Sequence, residues 1–417
     1  MDEKAKEELL LKRARPPKWL FFILLLLMIA GIVTFISGLV GPHAKEAWQI
    51  YLVNFLFWAG VAQAGVVFSC ALRITSGRWG RPLLRISEAF SSFIPVSFVL
   101  LLVLFLGREY ILPYATEHYH HPKDIWLSIP FVFARNVIGI FILSVLSLIY
   151  VYYSLRQDLG EVKDRLSGIC GWIASDWKGE EDKRRCWDRL SKLAPAIALI
   201  YALTFSIIAW DFIMSLDPHW YSTLFGPFYF VASFVAALGA TIILSSFVRR
   251  YLGLQDYITQ FQFYDIGKLL LGFSMFWVYL MFSQFLPIWY GNMPEETVFV
   301  IKRVKEEPFR TLSWVVISCC FFFPFVTLLP RTNKVIPPIL AFIASVSFVG
   351  FWLEKFVLVT PSLSHGIEFG LMQLLITLGF FATFVFMFLV FIKTFPVLPV
   401  GDPLFPGKGD SGHSGGH

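Results

Sequence analysis

Apolar residues run in ten stretches separated by short polar connections, at about 19–40, 48–72, 89–106, 125–153, 193–216, 224–248, 266–287, 311–329, 335–353 and 367–395. A hydrocarbon core about 30 Å thick is crossed by roughly 20 helical residues, a length these stretches reach or approach. None of them alternates as a barrel strand does, and a backbone in lipid must satisfy its own hydrogen bonds, so the predicted elements are helices. The pattern predicts an all-α integral membrane protein of about ten transmembrane helices, with the membrane domain at 19–395. A basic tail at 1–18 precedes it. The tail at 396–417 is rich in Gly, Ser and His toward its end and is predicted to be disordered. The longest polar interval, 154–192, is too short for a soluble catalytic domain and reads as a small cytoplasmic excursion. The first apolar stretch is longer than a signal-peptide core and lacks a small-residue cleavage site, which predicts a retained helix.

Composition agrees with this pattern. The chain is 57% hydrophobic and 15% charged, whereas a soluble chain is about a quarter charged. Its net charge of +6 invites a nucleic-acid reading, but the placement of the charges argues for topology. The N-terminal tail, every second loop and the C-terminal end hold 25 Lys and Arg residues, and the five intervening loops hold 8. The positive-inside rule therefore predicts both termini in the cytoplasm.

Residues that are missing narrow the chemistry. None of the eight histidines falls in the middle of a predicted span, and a bis-histidine haem needs imidazoles on facing helices at membrane depth. The five cysteines form no Cys-x-x-Cys, which argues against iron–sulfur clusters and covalently attached haem. If a complex containing this chain handles electrons, partner subunits are expected to hold the metal centres.

Ionisable groups at membrane depth cost about 2.5–3.5 kcal/mol on insertion scales and tend to be functional. Arg135 is predicted about 15 Å deep in the fourth helix and Asp211 about 9 Å deep in the fifth, at 1.5 Å per residue. They form either a structural ion pair or a carboxylate tuned for proton handling by an arginine. Lys268 lies close enough to the cytoplasmic edge to snorkel. Further polar residues gather toward the outer side: Asp217 and His219 after the fifth helix, Gln284, Trp289 and Glu295 around the end of the seventh, and Glu354 at the close of the ninth. A quinol headgroup needs hydrogen-bonding groups facing its oxygens, aromatic walls and proton acceptors. Asp217, His219, Gln284 and Trp289 are the candidates for such a site, and Arg135, Asp211, Glu295 and Glu354 for a proton path. In the alternative reading, Asp217 and the residues after it only cap a turn.

Two strings carry a family resemblance: WDFIMSLDPHWYSTLFG at 210–226 and SQFLPIWYGNMPEET at 283–297. Shorter ones, RWGRPLLRISE at 78–88 and FARN at 133–136, agree with them. The chain resembles the NrfD-like membrane subunits of alternative complex III, most closely the smaller of the two. The resemblance implies two four-helix bundles, helices two to five and six to nine, with helices one and ten peripheral. It further implies a subunit of a quinol:cytochrome c-type oxidoreductase in the bacterial inner membrane. The expected partners are a larger NrfD-like homologue, an iron–sulfur protein and multihaem c-type cytochromes. Two functions compete with this reading: a purely structural anchor, and a secondary transporter, which the one-sided placement of ionisable residues disfavours.

Overall fold

A computed structural model describes residues 3–116, 123–217, 220–364, 366 and 369–406 of the 417-residue chain. Among the described residues there is no strand. Ten helices are long and apolar enough to cross a membrane: α1 (Lys18–Val40), α2 (Ala44–Ile74), α3 (Arg81–Ile111), α4 (Ile129–Arg165), α5 (Glu180–Leu216), α6 (Phe225–Tyr251), α7 (Gln260–Gly291), α8 (Phe309–Leu328), α9 (Pro337–Leu363) and α10 (Leu371–Thr394). The chain is a multi-pass, all-helical membrane protein.

Several helices run past the limits that hydropathy predicts. α3 starts at Arg81, not near 89, and α5 starts at Glu180, not near 193. The added turns are charged, so they carry no apolar signal. Most of the expected 154–192 excursion is therefore the extended ends of α4 and α5 plus the short helix Gly168–Ile173, pinned by Arg156–Asp182 at 3.3 Å and Lys183–Glu161 at 3.0 Å.

Burial sorts the helices. Of the apolar window of α2, 94% is buried, against 11% for α1, so α2 is a central post and α1 offers most of its surface to lipid. α2 packs on α3 and α5, and α4 closes that ring by packing on the same two. α6 packs on α7 and α9, and α8 closes a second ring with them. α2 and α5 meet α6 between the rings, while α1 and α10 lie side by side against α2. The α1–α10 contact is a backbone-to-backbone approach: a Cβ on Gly31 would come within 2.8 Å of the Gly379 Cα. Small residues allow such close approach, and dispersion then holds the helices together.

One end of the molecule, here the proximal end, carries both termini of the described chain. The helix Glu3–Leu11 docks there with Leu9 and Leu10 buried. The disorder expected from residue 396 does not hold for the described residues 396–406. Val397, Leu398, Val400 and Asp402 are buried, and the Gly401 amide donates to Asp158 at 2.7 Å. The Gly- and Ser-rich composition of the last residues masks this short apolar run. Residues 407–417, with His413 and His417, lie outside the described residues.

Candidate functional site

At the opposite, distal end, α6 to α9 surround a cavity of about 360 Å³. Its walls are mostly aromatic and aliphatic: Trp220, Phe225, Phe228, Trp277, Phe285 and Trp314 are among them. Among the described residues, the polar side chains that reach it are few. They are Gln284, Ser313, Arg303 and Glu354.

The roof is the short helix Pro294–Val304. α7 ends at Asn292, which takes a left-handed φ of 46°, a conformation that asparagine tolerates better than most residues. Pro294 then opens the roof helix at its first turn, where a missing N–H costs nothing. Glu295 and Glu296 stand in its first turn, and Lys302 and Arg303 in its last, the charge order that a helix dipole favours. Phe299 is clasped between the Trp220 ring, stacked at 3.7 Å, and the Arg303 guanidinium, 3.5 Å from its centroid.

Arg303 holds this roof to α9. Pro361 inside α9 has no N–H to offer Val357, four residues earlier. Arg303 Nε donates to that carbonyl at 3.1 Å, and its Nη2 donates to Leu358 O at 2.7 Å and Ser362 Oγ at 2.8 Å. Asp217 completes the clamp: it accepts from Ser362 Oγ at 3.1 Å and Lys302 Nζ at 3.3 Å, with Arg303 at 3.8 Å. Burial pulls the Arg303 guanidinium down to about 9, opposed by Asp217. At neutral pH it remains a cation.

Deeper in the cavity wall, Glu354 accepts from Trp277 Nε1 at 3.2 Å and pairs with Lys355 at 2.5 Å. Glu354 is 3% exposed and Lys355 1%. Lys355 also lies 4.6 Å from the Tyr229 ring. Glu354 lies well inside α9, which continues to Leu363. Gln284 Oε1 accepts from Ser222 at 3.0 Å, and its amide nitrogen donates one proton to Leu280 O at 3.1 Å. The second amide hydrogen has no acceptor among the described residues.

α8 and α9 come close beside this wall. A Cβ on Gly350 would meet the Cys319 Cβ at 2.7 Å. α8 makes a π-turn at Ser318–Phe322, and Ser347 Oγ donates to Cys319 O at 3.2 Å. Such turns often mark functional regions of a helix.

Of the four residues expected to bind a quinone, Gln284 lines the cavity and Asp217 sits behind its roof. Trp289 is 64% exposed on the outside of α7, and His219 lies outside the described residues. Glu295 is exposed at the rim, and with Asp217, Trp220 and Phe299 it borders a second hollow of about 330 Å³. Glu354 belongs to the main cavity.

Arg135 and Asp211 meet in the other ring, on α4 and α5. Arg135 Nε donates to Asp211 Oδ2 at 2.8 Å while Nη2 reaches Oδ1. Asn136 adds a bond to the same carboxylate at 2.5 Å, and Tyr114 Oη donates to the Asp211 carbonyl at 2.9 Å. Arg135 also donates to Trp126 O at 2.8 Å and lies 3.9 Å from its ring. Lys268 pairs with Asp265 at 2.5 Å with its side chain 47% exposed, as a snorkelling residue would.

A third polar cluster went unread in the sequence because its arginines were counted as loop charge. Near the proximal end, Arg85 pairs with Glu88 at 2.5 Å and with Asp158. Glu88 accepts from Ser69 at 2.8 Å and Ser154 at 2.9 Å, and Ser69 touches the Tyr150 hydroxyl at 3.0 Å. Asp402 joins Arg81 at 2.8 Å and Arg73 at 3.1 Å. The i,i+3 spacing of Arg85 and Glu88 was the available signal. For Arg303 the signal was the acidic start and basic end of 294–304.

No family model matches the sequence, and no curated protein compared with it is similar.

Proposed function

We propose that this chain is a membrane subunit of a quinol:cytochrome c-type oxidoreductase of the alternative complex III type, in the bacterial inner membrane, with its proximal end in the cytoplasm. The cavity beneath helix Pro294–Val304 is its quinol site. One observation carries the reading: a largely apolar, aromatic-walled cavity within the spanning helices holds one buried carboxylate and one amide that keeps a free hydrogen. Ligand sites have this composition, with a few placed polar groups in an apolar wall. Glu354 would accept a headgroup hydroxyl, and the Gln284 amide would donate to the oxygen across the ring. Oxidation of a quinol to a quinone releases two electrons and two protons. The electrons pass to iron–sulfur and multihaem c-type partners, beside a larger NrfD-like homologue. Glu354 is the first acceptor for a proton, and Arg135 with Asp211 belongs to a separate protonatable position in the first ring.

The proposed site differs from the one expected from sequence: Gln284 stays, Glu354 joins it, and Trp289 drops out. The two rings of helices support the two-bundle arrangement that the resemblance implies, and the basic loops support the orientation. The anchor reading draws on a different observation, the saturated bonding of Asp217, which leaves it structural.

Titration of the full chain with a short-tailed quinone, followed by quenching of the Trp220 and Trp277 fluorescence, tests this proposal. Saturable quenching is expected, weakened about tenfold in Glu354→Gln or Gln284→Leu, from the loss of one hydrogen bond to a charged or buried polar group. Equal quenching in both variants, with the fold intact, refutes the site.

A further inference from the structure

The cavity beneath helix Pro294–Val304 is closed toward the distal surface. The stacked Trp220 and Phe299 rings form a partition there, since both line the cavity and both line the outer hollow of about 330 Å³ beside it. Trp220 is 5% exposed and Phe299 7%. Arg303 ties the same helix to α9 through Val357, Leu358 and Ser362, so water on the distal side meets a pinned aromatic wall.

The side between α7 and α8 is built differently. α7 packs against 318–328 in the proximal part of α8, where the π-turn lies. The distal part of α8, Phe309–Ile317, packs instead on α9 and on the roof helix, and among the described residues it makes no comparable contact with α7. The two helices therefore part over their distal halves. Met281 and Phe285 edge the gap on α7, Trp314 and Ile317 edge it on α8, and all four line the cavity. Trp314 is 55% exposed and the other three are half-buried, so the cavity lining continues onto the outer surface of the helices. At 1.5 Å per residue these positions lie about 8–15 Å inside the distal ends of α7 and α8, a depth that belongs to hydrocarbon. Apolar walls at that depth admit an apolar chain and reject an ionised group, which is strongly unfavourable in lipid.

We propose that the ligand of this cavity is lipid-borne and enters sideways from the bilayer between α7 and α8. Its ring stops at Glu354 and Gln284, and its apolar tail stays in the gap against Met281, Phe285, Trp314 and Ile317. This rests on the cavity being a quinol site, and it adds which quinols the site takes: those with an uncharged tail. The four gap residues set that specificity through the tail and not through the ring.

The test follows tryptophan quenching of the full chain in detergent by three quinones that share one ring. One carries a methyl group at the tail position, one a decyl tail, and one a butyl tail ending in a sulfonate. Wild type is expected to bind the decyl form most tightly and the sulfonate form at least about tenfold more weakly than the methyl form, because the gap would hold its charge in hydrocarbon. Ile317→Trp and Met281→Trp fill the gap from opposite sides. In each, the ratio of decyl to methyl affinity is expected to fall about tenfold, within what overpacking by a larger side chain costs. Comparing ratios between proteins cancels the partition of each quinone into the micelle. An unchanged ratio in both folded variants overturns the proposal. So does a sulfonate form that wild type binds as well as the methyl form, a comparison that needs no variant to fold. Either result leaves the quinol site standing, whereas no saturable quenching of wild type by any of the three removes the site and the route together.

Discussion

Replacing Asp211 with asparagine keeps the shape of the side chain and removes its charge, which makes the two readings of the Arg135–Asp211 pair separable. Asp211 is fully buried and the Arg135 side chain is 10% exposed. The variant retains one acceptor for the guanidinium, so one of two charged hydrogen bonds is lost and a buried cation is left without its counter-ion. Removing one partner of a buried pair costs about 3–5 kcal/mol. Arg135 keeps its bond to Trp126 O and its ring contact, which places the expected loss near the lower end, about 3 kcal/mol. Arg135→Gln strands the carboxylate instead, where among the described residues only Asn136 still donates to it, and should cost at least as much. In the double variant no charge remains, so its cost should fall short of the sum of the singles by at least about 1.5 kcal/mol, the lower range for close charge pairs. Equilibrium unfolding in mixed micelles measures all four proteins. Costs that add to within about 0.5 kcal/mol, as for independent sites, refute the claim that the two groups act as one unit. Turnover and proton release then decide the role. If the pair is structural, the double variant regains activity in the intact assembly along with stability. If Asp211 carries protons, the double variant folds but stays inactive.

Three other outcomes follow from the same structure. Asp402→Ala leaves Arg81 and Arg73 buried without the carboxylate they share, so thermal unfolding in detergent should show a loss of about 3–5 kcal/mol, while truncation after Pro406 should leave the midpoint unchanged. Gly350→Val must push α8 away from α9, because even a Cβ would lie 2.7 Å from Cys319; a cost of about 1–3 kcal/mol is expected on the same assay, along with weaker quinone quenching. A membrane-impermeant maleimide applied to intact spheroplasts should label Glu295→Cys at the distal rim and spare Arg165→Cys, whose site is 64% exposed at the proximal end; the reverse pattern overturns the proposed orientation.

Hydropathy alone determined that the chain is helical, that it crosses a membrane ten times and roughly where each crossing lies. That information is local: a backbone in hydrocarbon must close its own hydrogen bonds, so a long apolar run has one solution. The capacity of Arg135 and Asp211 to meet was legible for the same reason, since rise per residue converts position into height, although α4 begins at Ile129 and so sets Arg135 nearer its end than a start at 125 predicts. Direction around a helix axis is different. Nothing in the order of residues said that Gln284 faces the cavity and Trp289, five positions on, faces out, because lipid and protein interior are equally apolar and leave no amphipathic stripe to read. Burial of charge was equally hidden. Arg85, Arg303, Lys355 and Asp402 look like loop or tail residues until the fold surrounds each with its partners, Arg73 reaching Asp402 from 329 positions away. Only the tertiary structure decided which ionisable groups are sealed inside, because a charge is tolerated there solely by partners that the fold delivers.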